Sequence, residues 1–134
     1  MPRRASTHPT QAELEILNVL WASGPSTVRQ VHDILQQQRA AATTLTTTLK
    51  MLQLMVDKNL VGRSDTRPHQ YSPLIEKGQT QSNLLDDLVR RAFDGSVATL
   101  VVRAVEDSDL SKDDLRQLQQ LIDHMRKQER GEKA

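Results

Sequence analysis

The residues best suited to chemistry cluster in two short stretches. The first is Thr43, Thr44, Thr46, Thr47 and Lys50, in the segment TTLTTTLK; the second is Arg63, Arg67 and His69, around the turn Asp65-Thr66-Arg67-Pro68. Threonine offers a hydroxyl to a phosphate or base edge and a methyl to thymine, and lysine meets phosphate or guanine. Threonine is a poor helix former, so this many at a helix start need a reason. Contact with a nucleic-acid groove is one; a bland β-branched surface is the alternative. Arginines on a hairpin tip suit phosphate or minor-groove contacts, or else a solvated turn.

Catalytic chemistry finds little support. The four histidines (His8, His32, His69 and His124) stand at no metal-ligand spacing, and there is no cysteine. No nucleophile elbow or glycine-rich phosphate loop is present. Asp86-Asp87 reads as a solvated pair, and Asp113-Asp114 suits a helix first turn, where acids meet the positive end of the dipole. The chain reads as a non-enzyme without cofactor or metal.

These stretches must be positioned by helices. Thr10 and Glu13 have capping-box spacing ahead of Leu14, Ile16, Leu17, Leu20 and Trp21, and Ser23-Gly24-Pro25 stops that helix. A second helix starts at Ser26 or Thr27, where Thr27 and Gln30 repeat the box, and buries Val28, Val31, Ile34 and Leu35. The third starts near Thr43 or Thr44 and ends near Asn59. Its expected core face is Leu45, Leu49, Leu52 and Val56, with Thr43, Thr47 and Lys50 pointing away, Thr46 at the boundary, and Met51 and Leu54 projecting outward, where the hairpin or the tail is the surface for them to pack on. LVGRS and HQYSP then read as a two-stranded hairpin. Three helices followed by a hairpin is the winged helix-turn-helix layout, whose third helix enters the DNA major groove.

Beyond Pro73 the pattern is helical again, over Glu76 to about Phe93, then Val97–Val105, then a last helix entered through Ser111 and Asp114. Leu84, Leu85, Leu88, Phe93, Leu100, Val101, Leu115, Leu118, Leu121, Ile122 and Met125 are more apolar surface than so short and charged a tail can bury alone, so homodimerisation is expected. The alternative is a bundle packed on the first module. The fold class is therefore mainly α with a small β-hairpin wing: a winged-helix domain over 8–75 and a helical dimerisation domain over 76–128, with 1–7 and 129–134 as flexible ends. Charge divides the same way. Residues 1–75 hold eight Lys/Arg against five Asp/Glu (+3), and 76–134 hold ten against twelve (−2). The basic start MPRRASTHPT leads into no signal-peptide core, and no run nears the roughly 20 apolar residues of a membrane span. A cytoplasmic location with no membrane insertion is expected.

ELEILNVLWASGPSTVRQV, TTTLKMLQLMVDKNLV, RPHQY and the tail FDGSVATLVVRAVEDSDLSKDDLRQLQQLI together resemble the penicillinase-repressor family of winged-helix regulators, over about residues 10–128. The resemblance implies a dimeric repressor of an inverted-repeat operator in double-stranded DNA. It also implies a nearby-encoded, membrane-bound metallopeptidase sensor of β-lactams that triggers cleavage of the tail. The bond cut in the best-known members lies between Asn and Phe; its counterpart is Arg103-Ala104, a different dipeptide. A copper-responsive branch uses C-terminal cysteines, which this chain lacks. A module that binds protein rather than DNA through its winged helix is the competing expectation.

Overall fold

The computed structural model describes residues 8–38 and 43–133. In chain order the elements are α1 (Gln11–Ser23), β1 (Ser26–Thr27), α2 (Val28–Gln38), α3 (Leu45–Asp57), β2 (Val61–Arg63), β3 (Gln70–Pro73), α4 (Lys77–Ala92), α5 (Val97–Asp107) and α6 (Lys112–Lys133). They divide into two compact units, one reaching to Asp87 and the other starting at Leu88.

In the first unit, local chemistry sets the helix ends. The Thr10 side chain accepts from the Glu13 N–H at 3.2 Å while Glu13 Oε1 accepts from the Thr10 N–H at 2.9 Å. Thr27 and Gln30 form the same reciprocal pair at the start of α2. Each box satisfies donors that a helix start leaves open. Helix α1 ends at Gly24, whose φ of 78° needs a glycine and whose N–H donates to the Leu20 carbonyl at 2.8 Å.

Between these helices lies a strand that the sequence does not announce. Ser26 and Thr27 pair antiparallel with Tyr71 and Gln70, so the expected two-stranded hairpin is a three-stranded sheet of order β1-β3-β2. Two residues carry no alternation from which a strand could be read.

The core of this unit is Ile16, Leu17, Val19, Leu20, Val31, Leu35, Leu52, Met55, Leu60, Val61 and Tyr71. Helix α3 turns a different face inward from the one expected. Thr48, Leu52 and Met55 are buried, whereas Leu45, Leu49 and Val56 are only half-buried. The buried face is rotated by roughly 60° from the Leu45–Leu49–Leu52–Val56 line. The reason is Thr48, polar by type but buried with its hydroxyl paired. Met51, expected to project outward, packs on the core; Leu54 does project, at 46% exposure.

Trp21 Nε1 donates to the Ile75 carbonyl at 3.1 Å, and buried Thr80 bonds the Glu76 carbonyl. The start of α4 belongs to the first unit, which reaches to Asp87. The compact units part inside α4 rather than near residue 75.

The second unit holds the end of α4, α5 and α6. Asp94 and Gly95, both at positive φ, make the turn into α5, whose N-cap is Ser96. Ser111 and Asp114 form the reciprocal cap of α6. Helix α6 runs to Lys133, so 129–133 continue the helix where the sequence reading ends it at 128. Residues 1–7, expected to be a flexible end, lie outside the described residues, as does residue 134. No residue of α5 is buried. No helix among the described residues is long and apolar enough to cross a membrane.

Candidate nucleic-acid interface

Helix α3 is held at its first turn by side chains from α2. His32 Nδ1 lies 3.0 Å from Thr48 Oγ1, and Gln36 Nε2 donates to Thr43 Oγ1 at 2.9 Å. His32 and Gln36 are four apart, so both face the same neighbour. The Thr48 hydroxyl reaches the Thr44 carbonyl at 3.4 Å. Thr44 is the N-cap: its Oγ1 accepts from the Thr47 N–H at 3.1 Å and lies 2.9 Å from Thr47 Oγ1. The threonine run thus has a structural reason. Of the candidates read from sequence, Thr43, Thr44 and Thr47 have hydroxyls engaged within the chain. Thr46 and Lys50 do not, among the described residues, and both are exposed.

The outward face of α3 therefore consists of Thr46, Lys50, Gln53, Leu54 and Asp57, all exposed, with Thr47 at its edge. Gln53 and Asp57 fall outside the outward face expected from sequence, because the buried face of α3 is rotated from the Leu45–Leu49–Leu52–Val56 line. The signal was available: both follow Thr46 and Lys50 at helical spacing.

The other end of α3 is fastened too. Lys58 Nζ donates to Glu13 Oε2 at 2.6 Å, and the Glu13 side chain is 4% exposed. Burial pushes the Glu13 carboxyl up, but the Lys58 hydrogen bond and charge and the Thr10 N–H outweigh it and hold it below its ordinary value.

The hairpin β2–β3 carries the remaining candidates. Arg63 and Arg67 are exposed and His69 is half-buried. His69 Nδ1 bonds the Ser64 carbonyl at 2.8 Å, Ser64 Oγ accepts from the Gln70 N–H at 2.8 Å, and Ser64 and Thr66 hydroxyls pair. His69 therefore braces the turn, while Arg63 and Arg67 reach into solvent.

In the second unit Leu88, Val101, Leu115, Leu121, Ile122 and Met125 are 42–59% exposed, and Phe93, Leu100 and Leu118 are half-buried. Leu85, on α4 in the first unit, is 44% exposed, and Leu84 beside it is half-buried. Arg103 and Ala104 are exposed within α5. Among the described residues no group of three His, Asp or Glu could hold a metal.

Three helices, a small antiparallel sheet with a projecting hairpin, and a third helix with one face locked and the other open define a winged helix-turn-helix module. The family model for the penicillinase repressor matches residues 9–124. The transcriptional regulator BlaI of Mycobacterium tuberculosis is 36% identical over 97 residues, covering 70% of this chain and 69% of that protein. The methicillin resistance regulatory protein MecI of Mammaliicoccus sciuri is 24% identical over 114 residues, covering 84% and 91%. The chain belongs to the penicillinase repressor family of transcriptional regulators, and is a repressor rather than an enzyme. Among solved structures, a MarR family transcriptional regulator from Silicibacter pomeroyi aligns with a TM-score of 0.46 at 21% identity, over 86% of this chain and 67% of that one. A MarR family protein from Bacillus stearothermophilus aligns with a TM-score of 0.44 at 21% identity, over 85% and 75%.

Proposed function

We propose that the protein acts in the cytoplasm as a homodimer that binds an inverted-repeat operator in double-stranded DNA. Helix α3 enters the major groove with Thr46 and Lys50 foremost. Thr43, Thr44 and Thr47 shape its first turn and offer their remaining hydrogen-bonding capacity to the nearest phosphates. Arg63 and Arg67 contact the backbone from the wing, and His69 holds that wing in shape. The observation that carries this reading is the asymmetry of α3: its inner face is fixed by core packing and by His32, Gln36 and Glu13, and its outer face is left open.

Dimerisation through the tail, within the 76–128 segment and its α6 continuation, is supported by the unburied apolar surface. Patches of this kind mark association sites. Leu115, Leu118, Ile122 and Met125 follow the three-four-three spacing of a helix-pairing seam. Two copies would present two recognition helices to two half-sites.

Release by a sensor peptidase, a membrane metallopeptidase encoded nearby, is the derepression route that family membership supports. Cleavage at Arg103-Ala104 would require α5 to unwind locally, because the bond lies inside a helix and cleavage favours exposed, loosely held chain.

The test is fluorescence anisotropy of the full chain with labelled duplexes from upstream of its own coding region, beside sedimentation of the free protein. The reading expects a dimer and a preference for one duplex over scrambled competitor, with affinity falling steeply as salt rises. A monomer, or no binding at low salt, contradicts it; the latter result favours a protein-binding winged helix.

A further inference from the structure

Thr46, Lys50 and Gln53 form an exposed line along α3. Their spacing of four and three places them within roughly 60° of one another around the helix. All three are exposed, and no side-chain hydrogen bond or ion pair of theirs exists among the described residues. This sets them apart from Thr43, Thr44, Thr47 and Thr48, whose hydroxyls are engaged. Four residues beyond Gln53 the same line meets Asp57, also exposed. A carboxylate repels phosphates, so Asp57 marks the end of the segment suited to a groove. Gln53 is the last side chain before that boundary.

The three side chains differ in what they can read. Thr46 has one hydroxyl and a methyl. Lys50 is a point charge with donors alone, suited to guanine or phosphate. Gln53 carries a donor and an acceptor on one planar group. In the major groove that matches adenine, whose N6 amino group donates and whose N7 accepts.

We propose that Gln53 is a specificity-determining residue that reads an adenine in each half-site, Oε1 accepting from N6 and Nε2 donating to N7. The proposal rests on the assignment of α3 to the major groove. Lys50 supplies attraction that is nearly indifferent to sequence, and Gln53 supplies the choice of base. Substitution at Gln53 leaves the fold intact, because the side chain is exposed and unpaired and alanine favours the helix.

The experiment uses the full-length protein and the preferred upstream duplex. Each A·T pair is replaced in turn by G·C, and separately each adenine by 7-deaza-adenine, which lacks the N7 acceptor. In the unsubstituted protein, one adenine per half-site should be sensitive to both changes, with G·C replacement weakening binding on the order of ten- to a hundredfold. Gln53→Ala should lose affinity for the parent duplex by a similar factor and become indifferent to both changes at that position. Its salt dependence should stay the same. If Gln53→Ala keeps the full sensitivity profile of the unsubstituted protein, the assignment of Gln53 is overturned while operator binding stands. If the unsubstituted protein does not distinguish any duplex from scrambled competitor, operator recognition itself fails and this proposal fails with it.

Discussion

Lys58→Met tests how firmly the far end of α3 is anchored. Methionine keeps most of the apolar stem and removes the ammonium group from Glu13 Oε2, where it sits at 2.6 Å. The carboxylate, 4% exposed, would keep the Thr10 N–H on Oε1 but lose its charged partner. Removing one member of a fully buried pair costs about 3–5 kcal/mol, and an exposed pair is worth about 0–1 kcal/mol. The Lys58 side chain is 48% exposed, so water can replace part of what is lost. The structure therefore places the cost between these limits, at about 1–2 kcal/mol. For a domain of this size that corresponds to a drop in Tm of roughly 5–15 °C.

The same variant has a pH signature. The Glu13 carboxyl is held below its ordinary value of 4.5 in the folded chain. Its contribution to stability is present above that value and is lost as pH falls through the lower, folded one. Thermal unfolding followed by circular dichroism should show the full gap between Lys58→Met and the unsubstituted protein at pH 7. The gap should narrow as the pH is taken below 4.5 and through the lower, folded value. Glu13→Gln keeps an acceptor for the Thr10 N–H, so the double variant should cost less than the sum of the two single ones. A Lys58→Met protein that melts within a degree of the original at pH 7, or a gap that ignores pH, would refute the reasoning.

Further substitutions separate framework from interface. Thr48→Val keeps shape but removes the partner of half-buried His32; it should cost about 1–2 kcal/mol in denaturant unfolding, and a neutral result would argue against the α2–α3 clamp. Thr44→Ala removes the N-cap of α3 and should cost about 1 kcal/mol in denaturant unfolding, while the lost phosphate contact weakens binding about equally for preferred and scrambled duplexes; unchanged stability would argue against the cap. Arg67→Ala should weaken binding about equally for preferred and scrambled duplexes and reduce the salt slope by about one; a change in base preference would contradict its backbone role. Ile122→Glu, in the seam of α6, should shift sedimentation toward monomer without lowering the Tm of the first unit, and an unaltered dimer would move the association surface elsewhere.

Much of the architecture is legible in the sequence because it is local. The boxes Thr10/Glu13, Thr27/Gln30 and Ser111/Asp114 declare helix starts within four residues, and Gly24 declares a stop. The outward placement of Lys50, Arg63 and Arg67 follows from period and turn position. What escapes depends on partners far along the chain. Strand β1 exists because Tyr71 and Gln70 return to pair with two residues near position 26. Thr48 is buried because His32, sixteen positions earlier, takes its hydroxyl. That single burial turns α3 enough to bring Met51 inward and to add Gln53 and Asp57 to the open face. Glu13 shows the reverse case: its capping role is local and readable, but its ion pair spans forty-five positions.

The central claim is that the open face of α3 and the wing tip meet DNA. Amide chemical-shift mapping of the full chain, titrated with its preferred upstream duplex, tests it most directly. The account predicts that the largest changes fall at Thr46, Lys50, Gln53 and Arg67, while buried α1 positions such as Leu17 and Leu20 stay still. Changes concentrated on α1, with Thr46, Lys50 and Gln53 unmoved at saturation, would contradict it.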